Sequence, residues 1–383
     1  MVKTFLLMQL ALAPWLAAAA LPSFRFADLG ASASDEVVER LSIALTTVGA
    51  LQITSIPRFR EARLAALGPL AQCLWKNKED ANLTKMVMPD GAPRLTTHAA
   101  STRGAASAFG SACGDSAAEL REAIDAGTRQ LLLSLDKARV PAVAVCAPYT
   151  SFEDIQRYGD HLEHLHAYYA PQRITEGPEL PSVDFHTDGG LFIAMTSGLY
   201  SKPLNSSGEG LYLQLPSSEV VRMPSADTQE SLVFLVGEAG SNWLAPVLGR
   251  PLRAVPHKLV AALPADGHRT WYGKMFLPPA DAVIGPTTLT YAGHCAEKVN
   301  RQLRDSDGHR RMPSQRYLPV RHAAAARAAT SHRASGAICT TSDESAGVEC
   351  WMQCISAAFA ALPVRRYPGS LLRVTSRTRP PTP

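Results

Sequence analysis

The chain has 383 residues, 38 Lys and Arg against 34 Asp and Glu, a formal charge of +4, and 46% hydrophobic residues. That length holds one large domain or two ordinary ones, and that apolar content fills a globular core. The small net charge gives no basis for a nucleic-acid partner, and the lack of a Gly-x-Ser-x-Gly elbow or a His-Glu-x-x-His motif argues against a hydrolase.

Residues 1–20 have a short basic start and an apolar run, with small residues at Ala18-x-Ala20. This is the pattern of a cleaved secretory signal, so the expected address is secreted or in the secretory-pathway lumen. A retained anchor or an organellar transit peptide is the alternative, and the scarcity of Arg and Ser argues against the latter. The run is marginal for a bilayer and no basic stop follows it, so no stable membrane span is expected.

Residues 35–53 begin as a helix, with Ser34 as the candidate N-cap and apolar positions at helical spacing, and a strand follows from Val48. Pro57 to about Lys76 reads as a second helix. Thr96–Cys113 is rich in Ala, Ser and Gly and reads as a loop. Asp115–Leu135 reads as a long helix. Phe152 opens another helix behind a Ser151 cap, with His161, His164 and His166 expected on the helix that leads into a strand at Tyr169. Three close histidines resemble a metal site, but a helical approach to the strand is the preferred reading. Beyond Tyr169 the apolar runs are short and bounded by Gly, Pro and Ser, which fits buried strands of a β-sandwich or barrel.

His186-Thr-Asp188 stands between such runs. Side chains alternate across a strand, so ligands spaced i, i+2 project to one side, and a third must come from elsewhere. With 11 histidines and 34 acidic residues one His-x-Asp arises by chance, so the context carries the weight. His257, in Leu252-Arg-Ala-Val-Pro-His257, is the third candidate. Two imidazoles and one carboxylate on one face of a metal form the facial triad of non-haem Fe(II) oxygenases. His268-Arg269-Thr270-Trp271 follows, ahead of Pro278-Pro279.

The order and spacing of these motifs over residues 21–280, together with Leu21-Pro-Ser-Phe-Arg-Phe-Ala-Asp-Leu and Val48-Gly-Ala-Leu-Gln-Ile, resemble the isopenicillin N synthase-like branch of the Fe(II)/2-oxoglutarate-dependent oxygenases. The resemblance implies a mainly β fold, a double-stranded β-helix (jelly roll) with flanking helices. It implies Fe(II) held by His186, Asp188 and His257, with 2-oxoglutarate as cosubstrate. Arg269 would pair with the distal carboxylate of 2-oxoglutarate through its planar fork, and Tyr169 would touch the same carboxylate. The expected partners are O2 and a small organic substrate, most directly hydroxylated with release of succinate and CO2. Glu238 matches a family position and is expected to be structural.

Two departures bear on the cosubstrate. The family's Arg-x-Ser becomes Arg269-Thr270-Trp271, and Ala167 replaces an asparagine. A register with Thr270 at the serine would put His268 at the arginine, and the two registers exclude each other. Arg269 is the better carboxylate anchor. Trp271 offers only an indole N–H in place of a hydroxyl. An iron oxidase without 2-oxoglutarate, or an inactive secreted jelly-roll binding protein, is the alternative reading.

The chain thus divides into a signal at 1–20, an N-terminal helical and strand region at 21–150, a catalytic core at 151–280 and an extension at 281–383. Residues 301–383 carry 13 Arg and no Lys against five acidic residues, with a low-complexity run at Arg321–Arg327, and are expected to be partly disordered. Cys339, Cys350 and Cys354 suggest disulfides rather than zinc with His332, and Cys73 with Cys113 is a candidate bridge across the helical front. Asn82-Leu-Thr and Asn205-Ser-Ser are glycosylation sequons. Neither substrate nor oligomeric state is legible.

Overall fold

A computed structural model describes residues 21–102, 105–138, 146–171, 181–202, 210–223, 230–244, 246–261, 263–284 and 288–297. The signal at 1–20, the sequon at Asn205, and the Arg-rich segment with Cys339, Cys350 and Cys354 lie outside the described residues.

Among the described residues, fourteen strands form two sheets. The N-terminal region gives β1 (Ser23–Arg25), β2 (Ala50–Thr54), β3 (Thr84–Val87), β4 (Pro93–Thr102) and β5 (Ala105–Ala106). The rest are β6 (Asp160–Tyr169), β7 (Val183–His186), β8 (Phe192–Thr196), β9 (Leu199–Tyr200), β10 (Gly210–Gln214), β11 (Val220–Arg222), β12 (Ser231–Val236), β13 (His257–Val260) and β14 (His268–Phe276). The large sheet runs β1-β2-β12-β8-β14-β6-β4-β3, with β5 on β4 and β9 on β14, and the small sheet runs β11-β10-β13-β7. Strands from both expected regions, 21–150 and 151–280, therefore share one sheet.

Five helices bear on the site: α1 (Asp35–Ile43), α2 (Phe59–Leu67), α3 (Leu70–Lys76), α4 (Ala118–Ala138) and α5 (Phe152–Tyr158). Ser34 caps α1 by accepting from the Val37 amide, and Ser151 caps α5 by accepting from the Asp154 amide, as the sequence signals require. The helix expected over 57–76 is two, because Pro69 has no amide to continue the ladder past Gly68. In α4 the buried Leu120, Ile124, Leu131 and Leu135 recur at helical spacing on one face.

The loop expected at Thr96–Cys113 is corrected: its first part is β4, paired with β6 from Arg94↔Tyr168 to Thr102↔Asp160. Small residues and threonines fit a strand covered on both faces, and composition alone hid it. His161, His164 and His166 sit on β6 itself, not on the helix before it, because α5 stops at Tyr158.

The main core lies between the helices and the outer face of the large sheet, and a second cluster, with Ile193, Met195, Leu213 and Val233, lies between the sheets. Tyr291 and Cys295 are buried in the main core, so the packed body runs past residue 281. Cys73 and Cys113 form a disulfide that ties α3 to the turn before α4. Among the described residues, no helix is long and apolar enough to cross a membrane.

Candidate metal centre

The small sheet brings the two histidines together. His257, first residue of β13, pairs directly with His186, last residue of β7, and their ring centroids are 4.3 Å apart. Asp188 lies just beyond the end of β7 rather than on it. Its carbonyl accepts from the Glu238 amide at 2.8 Å, where a short helix begins behind Gly237. A Cβ on Gly237 would meet the Gly190 and Asp188 carbonyl oxygens at 2.2 and 2.7 Å, so only glycine lets this turn close on the Asp188 loop. Glu238 is thus structural, and its carboxylate also accepts from the Thr187 hydroxyl.

The tautomer of both imidazoles follows from their partners. Nδ1 of His186 bonds the Asp184 carbonyl at 2.8 Å and Nδ1 of His257 bonds the Val255 carbonyl at 3.1 Å. A carbonyl only accepts, so each Nδ1 carries the proton and each Nε2 presents a lone pair. Those Nε2 atoms lie 3.9 and 3.6 Å from the two oxygens of Asp188. Such separations are too long for hydrogen bonds. One ligand atom from each of the three residues falls within 4.8 Å of the others. Asp188 Oδ2 is buried without a hydrogen-bond partner among the described residues. Burial lowers the His257 pKa against the opposing pull of Asp188, which keeps the ring neutral as a ligand must be. Backbone-held imidazoles and an unpartnered buried carboxylate fit a divalent cation.

A cavity of about 140 Å³ opens onto this centre. Its walls are largely apolar, with Met88, Ile193, Met195, Met223, Leu259 and Met275 among them. Arg269 lines it, buried, with Nε and Nη1 unpartnered among the described residues. Its register is settled by alternation along β14. Arg269, Trp271 and Met275 face the cavity, whereas Thr270 turns away and donates to the Leu67 carbonyl at 3.0 Å. Gly198 makes room for the arginine: a Cβ there would sit 2.2 Å from Arg269 Nε.

Tyr169 is corrected. Its hydroxyl donates to the Ala71 carbonyl at 2.7 Å on the helix side, and Tyr168 lines the cavity instead. One step along a strand changes the face. Of the three expected histidines on β6, His164 and His166 line the cavity, and His161 faces the helices, where it accepts from the Leu277 amide at 3.1 Å. His166 stacks on Trp271 with centroids 4.4 Å apart.

Ser197 and Arg94 are among the polar wall residues that no sequence motif marks. Ser197, next to the Gly198 notch, has a buried hydroxyl without a partner among the described residues. Arg94 lines the cavity from β4. Alternation of Arg94, Thr96 and His98 against Leu95, Thr97 and Ala99 was the available signal, and it points to a strand with one polar face.

No protein-family profile and no curated protein matches the chain. Among solved structures it is similar to a candidate oxygenase from Shewanella oneidensis, with a TM-score of 0.52 and 12% identity over 74% of this chain and 98% of that one. It is also similar to the rice dioxygenase for auxin oxidation, with a TM-score of 0.49 and 18% identity over 75% of this chain and 96% of that one. A third is a candidate 2-oxoglutarate–Fe(II) oxygenase family protein from Caulobacter crescentus, with a TM-score of 0.49 and 13% identity over 75% of this chain and 99% of that one. At 12% identity the Shewanella likeness establishes a common fold and nothing finer. With a ten-stranded sheet and a four-stranded one, and with His186, Asp188 and His257 gathered at the end of the small sheet, this chain shares the jelly-roll fold of the Shewanella protein.

Proposed function

We propose that this protein is an Fe(II)- and 2-oxoglutarate-dependent dioxygenase that oxidises, by hydroxylation, a small organic substrate. The observation that carries the reading is the convergence of His186, Asp188 and His257 within 4.8 Å, at the floor of a largely apolar cavity. Bound Fe(II) with 2-oxoglutarate would supply the oxidising power of O2 for a substrate C–H bond.

The chain's own residues have separable roles in this reading. His186, Asp188 and His257 hold the ion on one side and leave the cavity side open. Arg269 takes the distal carboxylate of the cosubstrate through a two-pronged contact. Ser197 supplies the hydroxyl that the family places two residues after the arginine, a place occupied here by Trp271. The apolar wall excludes water, which strengthens each of these polar contacts.

The test is anaerobic titration of the metal-free protein with Fe(II) and then 2-oxoglutarate, following the visible metal-to-ligand charge-transfer band. A band that needs both additions, is absent in Asp188→Ala and is weakened in Arg269→Ala and Ser197→Ala supports the reading. Iron binding without the band would move the assignment to an oxidase that uses no 2-oxoglutarate, consistent with Trp271 at the serine position. Absence of iron binding in folded protein would leave a binding protein on an oxygenase scaffold.

A secretory address is proposed with it. The Cys73–Cys113 disulfide and the exposed Asn82 sequon support an oxidising, glycosylating compartment. Expression of the full chain in a secretory cell line tests this: a glycosidase-sensitive mass shift that Asn82→Gln abolishes is expected, and an unglycosylated product retained in the cytosol would reject it.

A further inference from the structure

Arg94 is a second buried cation in the cavity, and no residue of the metal centre needs it. It lines the cavity with its Nε unpartnered among the described residues. It is 8% exposed, so its charge is largely withdrawn from water. Its only polar side-chain contact among the described residues is the Met86 thioether, with Nη2 2.6 Å from Sδ. A thioether is a weak acceptor and cannot balance a guanidinium. No carboxylate of the described residues forms an ion pair with Arg94 or Arg269.

The two arginines are arranged symmetrically. Arg94 on β4 and Arg269 on β14 both stand opposite Tyr168 of β6, one on each side. Each guanidinium carbon is 5.9 Å from the Tyr168 ring centroid. The two guanidiniums thus reach the cavity from different strands, on either side of β6. Their surroundings differ. Arg269 is enclosed, beside the Gly198 notch and the Ser197 hydroxyl. Arg94, together with Met86, also lines an adjoining surface groove with Trp75 and Val87, which places it where the cavity meets the outside.

Charge balance gives the class of ligand. Among the described residues, the cavity wall carries two guanidiniums and one carboxylate, Asp188. A ferrous ion adds two positive charges, and doubly charged 2-oxoglutarate offsets them. One positive charge is left, and an uncompensated buried charge is costly. Around Arg94 the wall combines the Met86 and Met88 thioethers and the Val183 and Leu259 side chains with the rings of Tyr168, His164 and His166, and the thioethers adapt to varied apolar shapes.

We propose that Arg94 anchors the substrate, and that the substrate is a small, largely apolar monocarboxylate entering from the Met86 side with its carboxylate on Arg94 and its apolar body toward the triad. This rests on the oxygenase reading, from which the charge balance is taken.

The test uses the full chain loaded with Mn(II) and 2-oxoglutarate, so that binding is read by calorimetry without turnover. The probes are butanoate, phenylacetate and 3-phenylpropanoate, each compared with its primary amide. At least one acid is expected to bind about tenfold or more tighter than its amide, as a charge-assisted pair at a desolvated site implies. In Arg94→Gln that preference falls to within about threefold, and in Arg94→Lys part of it persists. Affinity for 2-oxoglutarate changes less than about threefold in Arg94→Gln and falls about tenfold or more in Arg269→Gln.

Equal binding of acids and amides in the unmodified protein would overturn the proposal whether or not any variant folds. So would an acid preference that survives Arg94→Gln, or a loss of 2-oxoglutarate in Arg94→Gln as large as in Arg269→Gln, which would make Arg94 a cosubstrate ligand. If 2-oxoglutarate binds and no acid does, the substrate class is wrong and the oxygenase reading stands. If neither Mn(II) nor 2-oxoglutarate binds, the oxygenase reading itself has failed and the inference falls with it.

Discussion

The two faces of β6 and β14 carry buried charge in opposite ways. On the helix face Lys274 lies opposite Glu163 across the strands, with Nζ 3.5 Å from Oε1 and 2.6 Å from Asp125 of α4. Arg121 of α4 brings Nε to 2.5 Å from Glu163 Oε2, and the Tyr272 hydroxyl donates to Glu163 at 2.8 Å. Every charge there faces its opposite. On the cavity face of the same strands Arg269 has no anionic partner among the described residues, and neighbouring Arg94 has none either. Burial is alike on both faces, with Glu163 at 0% and Lys274 at 2% exposure against 7% for Arg269. Buried charge that is paired fastens a helix to a sheet, whereas buried charge left unpaired marks the place of a ligand.

Substitution tests this contrast most severely. Glu163→Ala leaves Arg121 without its carboxylate and Lys274 with Asp125 alone, and is expected to cost about 3–5 kcal/mol in chemical denaturation. Arg269→Gln removes a cation that has no partner in the ligand-free protein, so its cost is expected at about 1 kcal/mol or less, of either sign. Equal losses in the two variants would break the comparison.

Ligand addition sharpens it next. Metal and 2-oxoglutarate, each at about 100 times its dissociation constant, should each stabilise the protein by about 2.7 kcal/mol. The 2-oxoglutarate increment should fall to about half or less in Arg269→Gln and persist in Lys274→Met. Thermal shift measurements in matched pairs read this directly.

The smallest effect concerns pH. Burial lowers His161 and His164 to about 3 and His166 well below its usual range. A histidine depressed in the folded state binds its proton only on unfolding. The unfolded chain therefore takes up protons first as pH falls below about 6.5. Stability is complete above that pH and declines from about 6.5 toward 3, by about 1.4 kcal/mol per pH unit for each histidine. Denaturation midpoints at pH 7.5, 6 and 5 measure the slope. His161→Gln samples the helix face and His164→Gln the cavity face. A slope unchanged by His164→Gln would show that water already reaches the cavity face.

Much of the fold was legible locally. Ser34 and Ser151 announced their helices because a hydroxyl before an apolar helical stripe satisfies amides the helix leaves free. The long α4 was legible from the spacing of its leucines. Cys73 and Cys113 did pair. Less legible was β4, since its Ala and Ser content matches a loop and outweighs the alternation around Arg94, and the pairing with β6 is what establishes the strand. The helix expected to carry the β6 histidines failed for a related reason: a period of two over a short apolar run is indistinct until a neighbour supplies the ladder. Arg94 was missed along with β4. Tyr169 and Tyr168 are adjacent in sequence, and which one meets the cavity depends on the face that β6 turns inward.

The sequence made His186, Asp188, His257 and Arg269 candidates for one site through the order of their motifs and the family resemblance that this order carries. It also determined the helix starts, whose causes lie within one turn of chain. Tertiary structure decided that His257 stands opposite His186 across 71 residues of chain, that Gly198 opens space for Arg269, and that Arg94 joins the cavity from the N-terminal region. These follow from strand register and from which face each strand turns inward. Both are properties of pairing between distant segments, and no local stretch of sequence contains them.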